Sequence, residues 1–269
     1  MDSEPQAPDP LAREAGQGTF EPRPFGETLS DLELDLRVAS RPLATTRVLA
    51  GCLHSDRATL DETDVWSWTV SRRLQGLLAV TIATRGESWT PTISCESCGA
   101  PMDLPLRLGA FLRDQDPPTI GCVLDGERVE VVVPTGADQW AWLEAGADDP
   151  AVMLARLLPG GMPGGKPGGK PEGASIADER LAAIEAALAE ADPLTVLEIE
   201  TRCPHCDAEN RLELDLEATC LALLAGEQPR LLDEIHALAR AYHWSEAEIF
   251  AVPPARRRLY LDRIVRGTE

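Results

Sequence analysis

Two Cys-x-x-Cys pairs, Cys95/Cys98 and Cys203/Cys206, lie in segments that repeat each other without a gap at an offset of 108 residues. The first reads Ser94-Cys95-Glu96-Ser97-Cys98-Gly99-Ala100 and continues through Leu104, Leu106 and Leu108. The second reads Arg202-Cys203-Pro204-His205-Cys206-Asp207-Ala208 and continues through Leu212, Leu214 and Leu216. Deprotonated cysteine sulfur binds zinc at about 2.3 Å in a tetrahedron, and the two-residue spacing lets one tight turn present two sulfurs at once. One such turn is weak evidence; two in matched settings predict a single structural Zn2+ held by Cys95, Cys98, Cys203 and Cys206. That site would span the 104 residues between Cys98 and Cys203. The alternatives are two separate redox-active pairs, or two reduced, metal-free knuckles. A thioredoxin-type pair opens a helix, whereas both of these run into strands.

The elements that must position the thiols follow from periodicity. Each knuckle is predicted as a turn between two short strands, because apolar residues recur at every second position after it. A helix starts near Ser71, carries Leu74, Leu77, Leu78 and Ile82 on one stripe, and stops at Gly86. In the second half a capping-box start at Ser175 leads a helix with Leu181, Ile184, Ala187 and Leu188. Asp192-Pro193 ends that helix, and Leu194 to Thr201 enters the second knuckle as a strand. Both halves thus read helix, loop, strand, knuckle, strand, helix. Elsewhere Leu32, Leu34 and Leu36 alternate as in a strand, residues 126–136 read as turn, strand and loop, and 109–113 as a short helix. Asp138 to Leu143 opens a helical turn, and Asp149-Pro150 starts a helix with Met153, Leu154 and Leu157.

After Leu216 the chain is predicted helical, with a break at Gln228-Pro229. A core stripe follows at Leu231, Ile235, Leu238 and Tyr242, then a capping box at Ser245/Glu248. A last helix starts from Pro253-Pro254 and carries Leu259, Tyr260 and Ile264. The predicted fold class is α+β: split four-cysteine zinc-ribbon hairpins flanked by helices, with a helical C-terminal hairpin. The organisation has five parts. Residues 1–25 are an acidic, disordered tail, 26–158 an N-terminal helical unit with the first knuckle, and 159–174 a flexible Pro/Gly-rich linker. A second knuckle unit spans 175–225, and the C-terminal helical segment spans 226–269.

Charge narrows the partners. Asp and Glu outnumber Lys and Arg by 45 to 25, for a net charge of −20, so nucleic acid is disfavoured. No apolar run reaches the ~20 residues of a membrane helix, and the acidic, proline-rich start is unlike a signal peptide. The expected setting is cytoplasmic, with no membrane partner. Arg256-Arg257-Arg258 is read as a solvated helix face, and His205 as an exposed turn residue. Cys52, Cys122 and Cys220 are read as small apolar packing groups, with no Cys52–His54 nucleophile. Trp66, Trp68, Trp140 and Trp142 are expected in the core, with a protein-binding surface as the alternative. No phosphate loop, dinucleotide fingerprint, HExxH or GxSxG pattern occurs. Four-sulfur ligation leaves no position open for water, so no enzyme activity is expected.

Taken together, several stretches resemble a known family. They include Ile93-Ser94-Cys95-x-x-Cys98-Gly99-x-Pro101-Met102-Asp103-Leu104, Val133-Pro134-Thr135-Gly136-Ala137-Asp138 and Cys203-Pro204-His205-Cys206. The C-terminal part adds Leu231-Leu232-x-Glu234-Ile235-His236, Ala241-Tyr242-His243-Trp244-Ser245-Glu246-x-Glu248-Ile249 and Pro253-x-x-Arg256-Arg257-Arg258-x-Tyr260-Leu261. This combination resembles the baseplate hub assembly chaperones of T4-like contractile phage tails and their counterparts in bacterial contractile injection systems. Asp207 departs from the Gly99 pattern, and the Pro/Gly tract is long. The resemblance implies a non-enzymatic assembly chaperone whose partners are baseplate hub or spike proteins of a contractile tail-like particle. The expected partner-binding residues are Tyr242, His243, Trp244, Ile249 and Tyr260. The alternatives are a permanent structural baseplate component and a zinc-ribbon regulatory binding protein.

Overall fold

Antiparallel pairing begins earlier than the sequence suggests, at the edge of the stretch read as a tail. A computed structural model describes residues 20–36, 40–54, 60–113, 117–147, 149–158, 178–194 and 197–267. Residues 1–19, the linker 159–174 and the cap at Ser175 lie outside the described residues. Residues 20–25 are not tail: strand β1 (Glu21–Pro22) pairs with β2 (Leu53–His54), Phe20 stacks 4.9 Å from Trp68, and Phe25 is buried. The predicted strand at Leu32–Leu36 is also corrected. Buried Asp31 accepts the Arg23 guanidinium at 2.6 and 2.7 Å and the Gly26 N–H at 2.7 Å. That bonding winds the segment into a turn and the short helix α1 (Ser30–Glu33) instead of a ladder.

Helix α2 (Arg41–Cys52) begins with proline in its first turn, where no N–H is missed. Asp61 closes a capping box with Asp64 for α3 (Glu62–Ser67), and Thr69 caps α4 (Val70–Arg85) by accepting the Arg72 N–H. Gly86, at φ 85°, ends α4 as expected. The chain then lays down β3 (Ser88–Trp89), β4 (Thr92–Ser94), β5 (Pro101–Asp103) and β6 (Leu106–Arg107). A 3-10 turn at Leu108–Phe111 stands where a short helix was predicted. Strand β7 (Thr119–Leu124), not anticipated, pairs with β8 (Glu127–Val132). Next come α5 (Gly136–Glu144), α6 (Pro150–Ala155) and α7 (Asp178–Ala191), then β9 (Leu197–Arg202), β10 (Glu209–Leu214), α8 (Leu216–Ala225) and α9 (Glu227–Tyr242). Short α10 (Glu246–Ala251) and α11 (Pro254–Gly267) complete the C-terminal helices. The break between α8 and α9 falls at Gly226. Pro229 sits in the first turn of α9, where it costs no hydrogen bond.

The fold is therefore a mixture of helices and small two-stranded antiparallel pairings, β1–β2, β3–β6, β4–β5, β7–β8 and β9–β10, with a helical C-terminal region. Its main core joins α2 and α4 to α8: Val48, Leu49, Leu77 and Leu78 pack with Cys220, Leu221 and Leu224. Helix α8, which leaves the second knuckle, thus shares its core with α4, which leads to the first. Leu74, Leu194, Leu214 and Leu216 form a smaller cluster with Trp89 and Leu106, linking the two knuckle arms directly. A separate cluster lies between the β7–β8 hairpin and the helices around it: Cys122, Leu124, Val131, Trp142, Leu157 and Ile184.

A cation stands among these apolar groups. Arg73 is 1% exposed; it donates to Thr46 Oγ1, to Val65 O and, at 2.7 Å, to Pro42 O, while facing the Trp66 ring. Burial pulls its pKa down to about 10, so it stays charged at neutral pH. Gly136 makes room for it, since a Cβ there would lie 2.3 Å from Arg73 Nη1. Arg257 corrects the expectation of a wholly solvated basic face. Its neighbours Arg256 and Arg258 are exposed, but Arg257 is buried against Phe250, with Nε 3.2 Å from Glu234. Leu259 lies on the predicted last helix, α11, and is largely exposed there.

Candidate metal centre

Both knuckles fold by the same local rules. In the first, the Cys95 N–H donates to Ala100 O and the Gly99 N–H to Cys95 O, each at 2.9 Å. In the second, the Cys203 N–H donates to Ala208 O and the Asp207 N–H to Cys203 O, again at 2.9 Å. Gly99 and Asp207 occupy the left-handed region at φ 70° and 60°. Glycine reaches it freely, and aspartate is among the few other residues that tolerate it. The flanking strands share one register: Ser94↔Pro101 and Ile93↔Met102 in β4–β5 match Arg202↔Glu209 and Thr201↔Asn210 in β9–β10. The repeat seen in sequence is a repeat in space.

The two turns face each other. The four sulfurs all lie within 4.8 Å of one another, with Cys95 Sγ 3.8 Å from Cys206 Sγ and Cys98 Sγ 3.8 Å from Cys203 Sγ. A tetrahedral ion with metal–sulfur bonds of about 2.3 Å requires neighbouring sulfurs about 3.8 Å apart. The donor set therefore fits one shared metal ion. Cys95 and Cys203 are buried, with Met102 and Ile93 packed against them, while Cys98 and Cys206 stand at the surface. Among the described residues no other group of His, Cys, Asp and Glu has this geometry.

Electrostatics within the first knuckle favours one thiolate already. The backbone N–H groups of Cys98 and Ser97 point at Cys95 sulfur and hold its thiol down to about 6. Cys98 moves the other way. The Ala100 N–H pulls it down, but the neighbouring sulfurs, Cys206 first, and desolvation outweigh that bond and push it up to about 12. Two thiolates at this distance repel unless a cation sits between them. In the second knuckle the His205 N–H approaches Cys203 Sγ at 3.4 Å, a contact of the same kind. The His205 side chain is exposed at the turn.

One residue of this region gives no local signal in the sequence. Asn210 is 3% exposed. Its Oδ1 accepts the Glu96 N–H of the opposite knuckle at 2.9 Å, and its Nδ2 donates to Ala208 O at 3.0 Å. Only the spatial closure of the two turns makes it visible.

The other sequence-predicted residues fall elsewhere. Tyr242, Trp244 and Tyr260 form a half-buried aromatic cluster, with ring centroids 4.9 to 5.4 Å apart. His243 is exposed and caps α9 in a left-handed conformation. Ile249 is fully buried among Leu231, Ile235 and Leu238, so its assignment to a partner surface is corrected: its side chain is core. Cys52 and Cys220 are buried thiols pushed up by desolvation to about 12 and 11, which makes them inert at neutral pH. Of the two W-x-W pairs, Trp66, Trp68 and Trp142 are buried, and Trp140 lies 5.6 Å from Trp66. Among known proteins, no family model, no curated protein and no solved structure matches this chain.

Proposed function

We propose that this chain is a non-enzymatic assembly factor, stapled by one structural zinc, that chaperones the baseplate hub of a contractile tail-like particle. The observation that carries the metal part is the convergence of four thiols from segments more than 100 residues apart to within 4.8 Å. Four sulfurs in a tetrahedron suit zinc, with an iron–thiolate centre as the other common occupant of such a set. Zinc would be held by Cys95, Cys98, Cys203 and Cys206, closing the zinc ribbon across both halves of the chain. A closed four-sulfur site leaves no position for a reacting water, which supports a structural role.

The client is assigned through the resemblance of the knuckle and C-terminal motifs to hub assembly chaperones. The C-terminal helices suit protein contact. Leu232 on α9 and Leu259 and Val265 on α11 are more than half exposed, on the helices that also carry Tyr242 and Tyr260. Aromatic anchors are common at protein interfaces. A net charge of −20 supports a protein client over nucleic acid. Among the described residues, no helix is long and apolar enough to cross a membrane.

Co-expression with hub and spike subunits, followed by native mass spectrometry, tests both parts in one measurement. One zinc per chain and a mass-defined complex are expected, and Trp244→Ala should lower recovery of the complex. A metal-loaded chain that ignores every hub subunit would remove the chaperone reading and leave the zinc.

A further inference from the structure

The two knuckles repeat in backbone but differ in side chains, and two of the differing positions answer each other. At an offset of 108, Glu96 corresponds to Pro204 and Met102 corresponds to Asn210. Glu96 has an N–H at the point where the first turn meets the second hairpin, and Asn210 supplies the acceptor for it. Pro204 has no N–H at the corresponding point, and Met102 has no strong acceptor; it packs instead with Cys95, Cys203 and Ile93. A donor is answered by a carboxamide, and the absence of a donor by a thioether. The carboxamide orientation is fixed by both of its bonds, since only Oδ1 can meet the Glu96 N–H and only Nδ2 can meet Ala208 O.

We infer that Asn210 is a positioning residue for the metal centre: it clasps the first knuckle onto the second through the Glu96 N–H and sets the sulfur cage before an ion arrives. This rests on the four-sulfur metal reading given above. The Glu96 N–H lies between Cys95 and Cys98 in the chain, so fixing it fixes the turn that aims both sulfurs. Asn210 lies four residues after Cys206 on β10, and its second bond to Ala208 O ties the clasp to the closing hydrogen bond of its own knuckle. Groups that orient metal ligands without touching the metal commonly change affinity by about 10- to 100-fold when removed. The proline at 204 and the methionine at 102 show what the same backbone uses when no such bond is made.

The test uses the full chain as wild type, Asn210→Met, Asn210→Asp, Glu96→Pro and the double variant Glu96→Pro/Asn210→Met. Zinc affinity is measured by competition with a chromophoric chelator, and Co2+ substitution reports the four-thiolate ligand field. Hydrogen exchange at the Glu96 amide is read in the metal-free, reduced protein, apart from any metal effect. Asn210→Met should weaken zinc binding at least about tenfold and speed Glu96 exchange, because the Glu96 N–H loses its acceptor. Asn210→Asp keeps the acceptor and should retain Glu96 protection with a smaller loss of affinity; it also serves if Asn210→Met is insoluble. In the Glu96→Pro background the donor is gone, so Asn210→Met should cost less than about threefold, a coupling that mere loss of packing does not produce. Wild-type affinity in Asn210→Met, or equal costs in both backgrounds, overturns the clasp while leaving the metal site intact. A wild-type chain that takes up no ion overturns the metal reading, and Asn210's role toward an ion with it.

Discussion

The first knuckle is polar toward its surroundings where the second is constrained, and the second is polar where the first is greasy. Cys95-Glu96-Ser97-Cys98 offers a backbone donor to the opposite arm, whereas Cys203-Pro204-His205-Cys206 has that donor removed by proline. The left-handed turn position is glycine in one and aspartate in the other. Met102 seals the sulfurs with apolar contact, and Asn210 reaches across with hydrogen bonds. Identical hydrogen-bond closure therefore carries unlike side chains, so backbone geometry makes the cage and the side chains distinguish its two walls.

The largest test of that likeness is removal of sulfur or metal. If both walls serve one ion, Cys95→Ser and Cys203→Ser should each abolish stoichiometric metal, and a chelator should have the same effect on the intact chain. Metal at about 1,000 times its Kd contributes roughly 4 kcal/mol, so the thermal midpoint should fall by about 10 °C. A loss confined to one knuckle's cysteines would show two independent sites.

A smaller effect distinguishes the walls. Met102→Ala leaves a void beside Cys95 and Cys203 and should cost about 2 kcal/mol, read by urea unfolding. The wall lined by Asn210 should respond to loss of hydrogen bonding instead, as set out above.

Acid probes the first knuckle on its own. With Cys95 held down to about 6, below the ordinary thiol value of 9.0, its thiolate contribution is complete above that ordinary value. It is lost as pH falls through about 6. Cys98, at about 12, must release a proton to bind a metal at any neutral pH. Affinity should therefore fall with acid, and the fall should steepen by a further tenfold per unit below pH about 6 as Cys95 takes up its proton. Metal competition across pH 5 to about 8 measures the change of slope, and a profile with no steepening near 6 would contradict the depressed thiol.

The smallest effects lie at the turn position. Gly99→Ala places a Cβ in left-handed backbone and should cost about 1 kcal/mol. Asp207→Gly should be neutral or slightly stabilising, within about 0.5 kcal/mol. Equal and large losses at both positions would mean that the side chain of Asp207, and not its backbone angle, matters.

Features written into adjacent residues were legible in the sequence. The knuckles, the end of α4 at Gly86, the Ser245/Glu248 capping box and the stripe Leu231, Ile235 and Leu238 depend on spacing of a few residues, and the structure places them as read. The segment at Leu32–Leu36 misled because its apolar alternation is overridden by Asp31, whose partners Arg23 and Gly26 precede it. Strand β7 was missed because Pro117-Pro118 and Gly121 break the propensity signal; its pairing with β8 and packing by Ile184 supply what local preference lacks. Arg257 differs from Arg256 and Arg258 through distant partners, Glu234 and Phe250 on other helices and Gly26 O near the start of the described chain. Asn210 was invisible for the same reason, since its acceptor role exists only once residues 114 positions apart meet.

The α4–α8 contact has a consequence for the order in which the chain assembles. Helix packing and the sulfur cage span nearly the same loop, because α4 ends at Arg85, ten residues before Cys95, and α8 starts thirteen residues after Cys203. Whichever forms first leaves the other a remaining circuit of only about 25 residues instead of more than a hundred, which lowers the entropic barrier by roughly 1 kcal/mol. Docked helices would therefore bring the thiols into proximity during synthesis in a metal-poor cell, and a captured ion would in turn speed helix docking. Assembly can start from either end of the loop.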